Sequence, residues 1–227
     1  MIVFGRNPVR EALRGKRSVS RVWATSREDW LPDAEIVDEE EVAAICGSRD
    51  HQGVCAEVSQ YPYADPAGLL AADDALVVCL DEVQDPQNLG AICRVAECAG
   101  AAGVVIAERR SAQVTPAVCK ASAGAVEHLD VARVRNIADY LRQAKQQEAW
   151  VYGAAAGATT PYDRPDYRGR VVLVLGAEGK GLRPRVAGTC DALVSLPIRG
   201  QIESLNVSAA AAALVYGILH FRASALT

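Results

Sequence analysis

From residue 75 onward, short apolar runs alternate along the chain with segments of helical spacing. The apolar runs cover residues 75–80, 103–107, 129–134, 149–154, 171–175 and 192–196. Between the first two runs, the spacing of a helix is clearest for Ala91, Ile92, Val95, Ala96 and Ala99. Apolar strands separated by helices are typical of a parallel sheet that is covered on both faces. The sequence therefore predicts an α/β domain, in which ligands bind beyond the carboxyl ends of the strands.

The first 60 residues show a shorter pattern. Asn7 and Pro8, followed by an apolar face, predict a short helix with Asn7 as its N-cap. Asp38, with Glu41 three residues later, predicts the start of a second helix. Strands are predicted at residues 19–24 and 54–58, so this part of the chain forms a small α/β unit.

A segment with two prolines and little periodicity, residues 61–66, is the best linker candidate. Further helix starts are predicted at residues 65–66, at residues 115–116 and at Asn136. We therefore predict a small domain over residues 1–60, a linker and lead-in helix over 61–74, and a larger domain over 75–227.

Composition narrows the class of protein. Half of the 227 residues are apolar, which is enough for a substantial core. The seven cysteines are scattered without a Cys-x-x-Cys pair, and no secretory segment follows Met1. We therefore expect core cysteines, no metal site and a cytoplasmic location. The longest apolar run, residues 209–219, is shorter than the ~20 residues that span a membrane, so no membrane segment is expected.

Charge is strongly segregated near the N-terminus. Residues 1–27 carry a net charge of +6 and residues 28–41 a net charge of −8, although the whole chain has a net charge of only −4. A basic stripe of this kind is expected where a protein contacts a phosphate backbone. The alternative, a solvated face that pairs with the acidic segment, stays open. The candidate RNA contacts are Arg6, Arg10, Arg14 and Arg17.

Three loops that follow predicted strands carry the candidate chemistry. Residues 81–90 lead into the helix that carries Arg94. Residues 176–181 are rich in glycine but match neither nucleotide-binding fingerprint, so a nucleoside triphosphate enzyme is disfavoured; the glycines allow a flat ligand to approach the backbone. In the third loop, Ser204, Asn206 and Ser208 crowd the start of an alanine-rich helix, where one cap is enough.

Each of the first two loops also has a purely structural interpretation. Asn88 would cap the helix while Arg94 is solvated, and the glycine segment would be an ordinary tight turn with Glu178 exposed.

Together, however, the loops resemble the three motifs of the SpoU/TrmH branch of the SPOUT RNA methyltransferases. The matching segments are DPQNLGAICR at residues 85–94, LGAEGKGL at 175–182, and LPI with ESLNVSAA at 196–198 and 203–210. Residues 121–125 also recur in that family. Residues 4–9 and 51–54 resemble its ribosomal-L30-like RNA-binding domain.

The resemblance implies methylation of a ribose 2′-hydroxyl in structured RNA, with S-adenosylmethionine as the methyl donor and no metal. It also implies a trefoil-knotted methyltransferase domain and a homodimer whose active site lies near the subunit interface. No DNA partner is implied. The residues that would hold the cofactor, largely through backbone groups, are Gly176, Gly179, Leu196, Ile198 and Leu205.

Catalytic roles follow from the same motif positions. Arg94 matches the essential arginine of the family, and because a guanidinium stays protonated we expect it to anchor a phosphate and stabilise developing alkoxide charge. Asn88 and Asn206 are assigned to site geometry. Glu178 would position its partners, and Ser204 would contact RNA or cofactor.

The expected target is a guanosine of large-subunit (23S) ribosomal RNA, because an L30-like start is typical of that branch. A transfer-RNA ribose methyltransferase is the alternative within the class. From another class, the chain could be a noncatalytic RNA-binding assembly factor. Only residues 27–36 separate the first strand from the next apolar pair, so the N-terminal domain is abbreviated and we expect its RNA selection to differ from that of relatives.

Overall fold

The computed structural model describes residues 1–31 and 33–224, which form two sheets. The N-terminal elements are β1 (Ile2–Phe4), α1 (Arg6–Arg14), β2 (Val19–Ala24), β3 (Glu35–Ile36), α2 (Glu39–Cys46) and β4 (Val54–Val58). The strand order is β1-β4-β2-β3, with β4 antiparallel to both of its neighbours. This unit agrees with the two strands and two helices that the sequence predicts.

The two N-terminal helices begin differently. At α2, the Asp38 side chain accepts a hydrogen bond from the backbone N–H of Glu41 at 2.8 Å, which confirms the predicted cap. At α1, the prediction of Asn7 as N-cap is wrong, because the helix begins at Arg6 and its cap is Gly5. Gly5 has φ +94 and donates its N–H to the Val54 carbonyl at 3.0 Å, so the backbone itself sets the start of the helix.

The second sheet has seven strands, all parallel, in the order β7-β6-β5-β10-β8-β11-β9. The strands are β5 (Leu76–Asp81), β6 (Gly103–Ala107), β7 (Val131–Val134), β8 (Trp150–Ala154), β9 (Thr160–Pro161), β10 (Val171–Gly176) and β11 (Ala192–Ser195). The helices are α3 (Pro86–Cys98), α4 (Pro116–Ala121), α5 (Ile137–Gln146), α6 (Pro184–Ala187) and α7 (Val207–Ser224). The predicted α/β fold with a parallel sheet is confirmed.

Helices cover both faces of this sheet. Val78 and Leu80 of β5 pack in one apolar cluster with residues of α3, α4 and α7. Their neighbours Val77 and Cys79 pack in a second cluster with residues of α5 and α6. Because alternate residues of a strand face opposite sides, β5 is buried on both sides and its sequence is apolar throughout.

Residues 65–75 differ from their prediction. The helix expected from residues 65–66 is only a 3₁₀ turn, Gly68–Leu70. Of that turn, Leu69 and Leu70 are buried, whereas the four residues that follow are exposed. A second helical turn would therefore have no apolar face to bury, and Gly68 disfavours helix.

The cysteines fill the core only in part. Cys55, Cys79, Cys93 and Cys119 are buried, and burial raises the pKa of the Cys93 thiol to about 12. Such thiols behave as small apolar groups. Cys98 is exposed at the end of α3, so the prediction is wrong for that residue.

A single apolar cluster runs from the N-terminal sheet into the larger one. Polar contacts reinforce this junction. The Tyr61 hydroxyl donates to the Val126 and Leu129 carbonyls at 3.1 and 2.8 Å. The two sheets are thus packed together, and the division at residues 60 and 75 stays a prediction.

A buried ion pair also crosses the junction. Arg17 Nε donates to Glu127 Oε2 at 2.9 Å, and the two side chains are 1% and 0% exposed. Arg17 therefore has no surface to offer a phosphate, and its prediction as an RNA contact is wrong. A charge pattern in the sequence does not distinguish an exposed arginine from one that neutralises a buried carboxylate.

One helix among the described residues, α7, is long and apolar enough to cross a membrane by length and composition alone. Its residues Ala211, Leu214, Val215 and Ile218 are buried in the same cluster as residues of α3. One face of α7 thus packs on the rest of the chain, and a single helix of this kind is weak evidence for a membrane segment.

The buried pair yields a stability prediction. Glu127→Ala leaves the Arg17 charge buried and unpaired, so we expect it to lower the free energy of unfolding by about 3–5 kcal/mol in urea denaturation. Asp130→Ala is the matched control. It removes half of the Lys16–Asp130 pair, whose side chains are about half exposed, and should cost about 1 kcal/mol or less. Equal losses for both variants would contradict this account.

Candidate functional site

A cavity of about 350 Å³ lies at the carboxyl ends of β8, β10 and β11, where ligands of parallel sheets bind. Its walls come from residues 154–156 after β8, from the glycine loop after β10, and from the segment between β11 and α7. The structure brings all five residues predicted to hold a cofactor into this wall: Gly176, Gly179, Leu196, Ile198 and Leu205. Their role in binding stays a prediction.

The glycine loop, residues 176–181, is a turn that closes on its own backbone. The Gly181 N–H donates to the Ala177 carbonyl at 2.8 Å. A Cβ on Gly176 would overlap the backbone of Gly181, and Gly179 and Gly181 have φ values of +74 and +65. Glycine is therefore required at the first position and strongly favoured at the other two. At its three glycines, the turn therefore has no side chain that would separate the main chain from a ligand in the cavity.

An anchor that the sequence analysis missed holds this loop to the sheet. Asp81, at the end of β5, is fully buried and accepts hydrogen bonds from the backbone N–H and from Nε of Arg183 at 2.9 and 2.8 Å. The hydrogen bond with Asp81 raises the pKa of Arg183. A carboxylate that ends a buried apolar strand needs a hydrogen-bonding or charged partner, and that was the available signal.

A chain of side-chain hydrogen bonds, which we call the amide relay, joins one residue from each loop. Asn206 Nδ2 donates to Asn88 Oδ1 at 2.9 Å, and Asn88 Nδ2 donates to Glu178 Oε2 at 3.4 Å. Asn206 Oδ1 accepts from the backbone N–H and hydroxyl of Ser208 at 2.9 and 2.6 Å. Asn206 therefore caps α7 and fixes the relay at the same time.

The relay decides between the alternatives for Asn88. The N-cap of α3 is Asp85, which accepts from the backbone N–H of Gln87 at 2.9 Å. Asn88 lies inside the helix, is buried, and uses its amide to contact the other two loops. The capping interpretation of Asn88 is wrong, because the polar group that opens α3 stands three residues earlier.

A second cavity, of about 220 Å³, adjoins the first. The two share Ala177, Glu178, Lys180 and Val207 in their walls. The second is also lined by Asn88 and by the carboxylates of Glu82 and Asp85. Ser204 lines only the first cavity and is exposed. Glu178 thus stands between two adjoining spaces, each able to hold one reactant.

Glu82 is a further residue that the sequence analysis passed over. Its φ is +61, an uncommon value for a residue with a Cβ. Its Oε1 is buried without a hydrogen bond, at 3.5 Å from Arg183 Nη1 and 3.7 Å from Arg110 Nη1. Residues with uncommon backbone angles gather at functional sites, and Glu82 lines the second cavity, so it belongs to this site by position.

The structure does not bring Arg94 to the relay. Arg94 is exposed on α3, lines neither cavity, and makes no hydrogen bond or ion pair among the described residues. At about 100° per residue, a position six residues after Asn88 lies on a different side of the helix. A single chain therefore leaves this arginine apart from the other predicted catalytic residues.

The basic residues near the N-terminus were expected either to contact a phosphate backbone or to pair with the acidic segment. The structure supports each interpretation for some of them. Arg6 pairs with Glu28, and Arg21 pairs with Glu35 at 2.9 Å, so some of the basic residues do neutralise the acidic segment. The guanidinium of Arg10 lies 4.8 Å from the centre of the Trp30 ring. Arg6, Arg10 and Arg14 stay partly or largely open to solvent and remain candidate RNA contacts.

Comparison with known families identifies the chain. Residues 75–216, which include all three loops, match the SpoU rRNA Methylase family. The chain belongs to this family. Residues 2–64 match a second family, described as RNA 2′-O ribose methyltransferase substrate binding. As a family member, the chain is an RNA methyltransferase of the SpoU/TrmH type.

Relatives and solved structures agree with this assignment. A TrmH family tRNA/rRNA methyltransferase of Bacillus subtilis is 35% identical, over 97% of this chain and 95% of that protein. A tRNA/rRNA methyltransferase of Synechocystis is also 35% identical, but this chain spans only 62% of its length. The SpoU methyltransferase AviRb of Streptomyces viridochromogenes, solved with AdoMet, has the same fold, with a TM-score of 0.86, 23% identity, and coverage of 99% of this chain and 91% of that one.

The glycine loop yields a second prediction. Gly176→Ala forces the backbone at Gly181 to move, so we expect a loss of about 1–3 kcal/mol in the free energy of unfolding. Gly68→Ala is the control, because a Cβ there meets no atom within 4 Å. Thermal and urea denaturation of both variants would test it. An alanine at position 176 as stable as the control would show that the loop is not closed in this way.

Proposed function

We propose that this SpoU family member transfers a methyl group from S-adenosylmethionine to a ribose 2′-hydroxyl of RNA. The amide relay carries the proposal. It places Glu178 between two adjoining cavities and ties all three loops to that one point. A noncatalytic RNA-binding factor would have no need for a relay of this kind.

The larger cavity fits the cofactor. Its volume of about 350 Å³ falls within the range of small-molecule sites. Leu175, Val194 and Leu214 offer apolar walls for a heterocycle, and the glycine loop offers main-chain groups to its edge. The carboxylates of Glu178 and Glu203 line the same space and suit a cationic sulfonium. When bound, the cofactor supplies an electrophilic methyl group.

The residues of the chain then orient the ribose so that its 2′-oxygen faces the methyl group. We place the ribose in the smaller cavity, against Asn88 and Glu178. Holding two reacting atoms in line is worth on the order of 7–11 kcal/mol, and the relay gives the site the rigidity that this requires. Asn88 and Asn206 keep the shape of the site, Glu178 positions its partners, and Ser204 contacts RNA or cofactor.

Arg94 anchors a phosphate of the RNA and stabilises negative charge on the attacking oxygen. A guanidinium is effectively always protonated, so it acts by charge and hydrogen bonding and not as a base. It does not reach the relay of its own chain. We propose that assembly of two copies brings Arg94 of one copy to the site of the other.

The exposed apolar surface supports a homodimer. Only 28% of α7 is buried within the chain, although the helix is largely apolar. Ile202 is 76% exposed, and Leu205 and Tyr216 are about half exposed. Large exposed apolar patches mark interaction sites on proteins, and we propose that these residues belong to one. A second copy that covers these residues would also bring its Arg94 to the edge of the site.

The knotted threading and the L30-like domain are part of the same proposal. Strand β10 lies between β5 and β8, both of which precede it in the chain, and α7 returns to pack on α3. This path supports a trefoil knot. The small N-terminal sheet with helices α1 and α2 supports an L30-like RNA-binding unit.

We further propose a guanosine of 23S ribosomal RNA as the target and the cytoplasm as the location. The description of the family that matches residues 75–216, SpoU rRNA Methylase, supports ribosomal RNA. Transfer RNA is the second candidate, because relatives are named for both substrates. Comparing the methylated nucleotides of cells with and without this protein would identify the target.

The role of Arg94 is tested by substitution. We expect Arg94→Ala to lower methyl incorporation into RNA at least about a hundredfold, since it removes charge stabilisation from the transition state. S-adenosylmethionine affinity, measured by calorimetry, should stay unchanged. Arg142→Ala, on the opposite face of the sheet, is the control. Mixing the Arg94→Ala and Asn206→Ala proteins should restore part of the activity if two copies share a site.

Methylation by the Arg94→Ala protein at the normal rate would contradict the proposed role of Arg94 in charge stabilisation. If mixing restores nothing although both variants form dimers, each copy uses its own arginine.

RNA affinity should depend steeply on salt. Removing one basic side chain that binds a phosphate should make the slope of log K against log salt shallower by about 0.7–0.9. We therefore expect shallower slopes for Arg6→Ala, Arg10→Ala and Arg14→Ala than for the wild type in filter binding. Arg142→Ala is again the control. An RNA affinity of the wild type that does not change with salt would contradict this role. The basic face would then be a solvated surface that pairs with the acidic segment.

A further inference from the structure

A third cavity, of about 560 Å³, lies at the junction of the two sheets and far from the three loops in sequence. Most of its wall comes from the N-terminal unit. The single exception is Lys120 of α4. We call it the junction cavity, and its lining residues are Thr25, Glu39, Arg49, Asp50, His51, Gln52, Gly53 and Lys120.

Every side chain of the junction cavity is polar or charged. Arg49 and Glu39 make no hydrogen bond or ion pair through their side chains with any other described residue. Lys120 Nζ donates to the Asp50 carbonyl at 2.8 Å, and burial lowers the pKa of that lysine. Positive and negative groups thus stand open in one space, and an apolar ligand would leave them unpaired.

The floor of the cavity is built with some strain. Gln52 has φ +54, and its Oε1 accepts from the Arg6 backbone N–H at 3.0 Å. His51 is 2% exposed, and its Nδ1 accepts from the Gly53 backbone N–H at 3.0 Å. A Cβ on Gly5 would meet Lys120 Nζ at 2.6 Å. Of these residues, Gln52 has the uncommon backbone angle, and non-glycine residues at positive φ cluster at functional sites.

The mixture of charges identifies the class of ligand. Arg49 and Lys120 suit the oxygens of a phosphate, whereas the carboxylates of Glu39 and Asp50 accept hydrogen bonds from amino groups. A nucleotide carries both, a phosphate and the donors of its base edge. Single-stranded RNA is recognised in this way, by bases that leave the stack. The contact between Gln52 and Arg6 also joins the cavity to the basic face of α1.

We propose that the junction cavity holds one unpaired nucleotide of the RNA substrate, with its phosphate beside Arg49 and Lys120 and its base edge beside Glu39 and Asp50. This assignment rests on the proposed action on RNA. It adds a second point of attachment, outside the methyl-transfer site and shared between the two sheets. Selection of the target then depends on an unpaired nucleotide away from the one that is methylated.

Full-length protein and defined probes test the proposal. The probes are a fluorescein-labelled single-stranded oligoribonucleotide of mixed sequence and the same oligonucleotide in a duplex, read by anisotropy. We expect Arg49→Ala to weaken binding of the single strand about tenfold and binding of the duplex much less. Arg142→Ala removes the same charge on the opposite face and should leave both affinities unchanged.

Gln52→Gly is the second variant. Glycine relieves the strained φ at this position but removes the hydrogen bond from the Arg6 N–H, so the two effects oppose each other and the free energy of unfolding should stay within about 1 kcal/mol of the wild type. The loss of the side chain should still weaken single-strand binding several-fold. This combination separates a binding role from a structural one.

Two results would overturn the proposal. The first is single-strand affinity of Arg49→Ala and Gln52→Gly equal to that of Arg142→Ala. The second is binding of a free ribonucleoside monophosphate that depends on Arg49 while RNA affinity does not, which would assign the cavity to a small metabolite. Calorimetry with S-adenosylmethionine reports on the methyl-transfer site separately, so failure of the proposed function and failure of this inference remain distinguishable.

Discussion

The hydrogen bond between Asn206 and Asn88 joins residues 118 positions apart, and the geometry of the site depends on it. One amide group contacts the start of α7, and the other lies within α3 and contacts Glu178 of the glycine loop. An asparagine amide both donates and accepts, so each residue can contact two partners in fixed directions. A carboxylate or a hydroxyl in place of Asn88 would not supply the same pair of contacts.

Contacts with the sheet and within the loop itself hold the two ends of the glycine loop, which the relay does not contact. Asp81 ends the buried strand β5 and holds Arg183, so the far end of the glycine loop is tied to the neighbouring strand. The near end is closed by the contact between Gly176 and Gly181. The loop is therefore fixed at both ends, and its exposed Glu178 accepts one long hydrogen bond, at 3.4 Å from Asn88 Nδ2. Rigid support of this kind is what a site needs in order to hold two reactants in line.

Much of the fold could be predicted, because buried parallel strands are apolar throughout. Part of the site could be predicted as well, since Gly176 and Leu205 belong to recognisable motifs and both line one cavity. The sequence could not show that β10 lies between β5 and β8, since strand order depends on contacts between distant segments. Nor could it show that Arg17 is buried, because charge alone does not reveal what an arginine faces. The role of Asp81 could not be predicted either, because its partner Arg183 is 102 residues away in the sequence.

The buried pair of Arg17 and Glu127 has a consequence for recognition. It clamps the N-terminal unit to the larger sheet at a place where neither charge can be exposed cheaply. An RNA bound by the small unit, as we propose, would therefore reach the relay at a fixed distance and angle. On that proposal, the fixed spacing between the two units selects RNAs by their folded shape, because an RNA whose two contact points are spaced differently cannot reach both units at once.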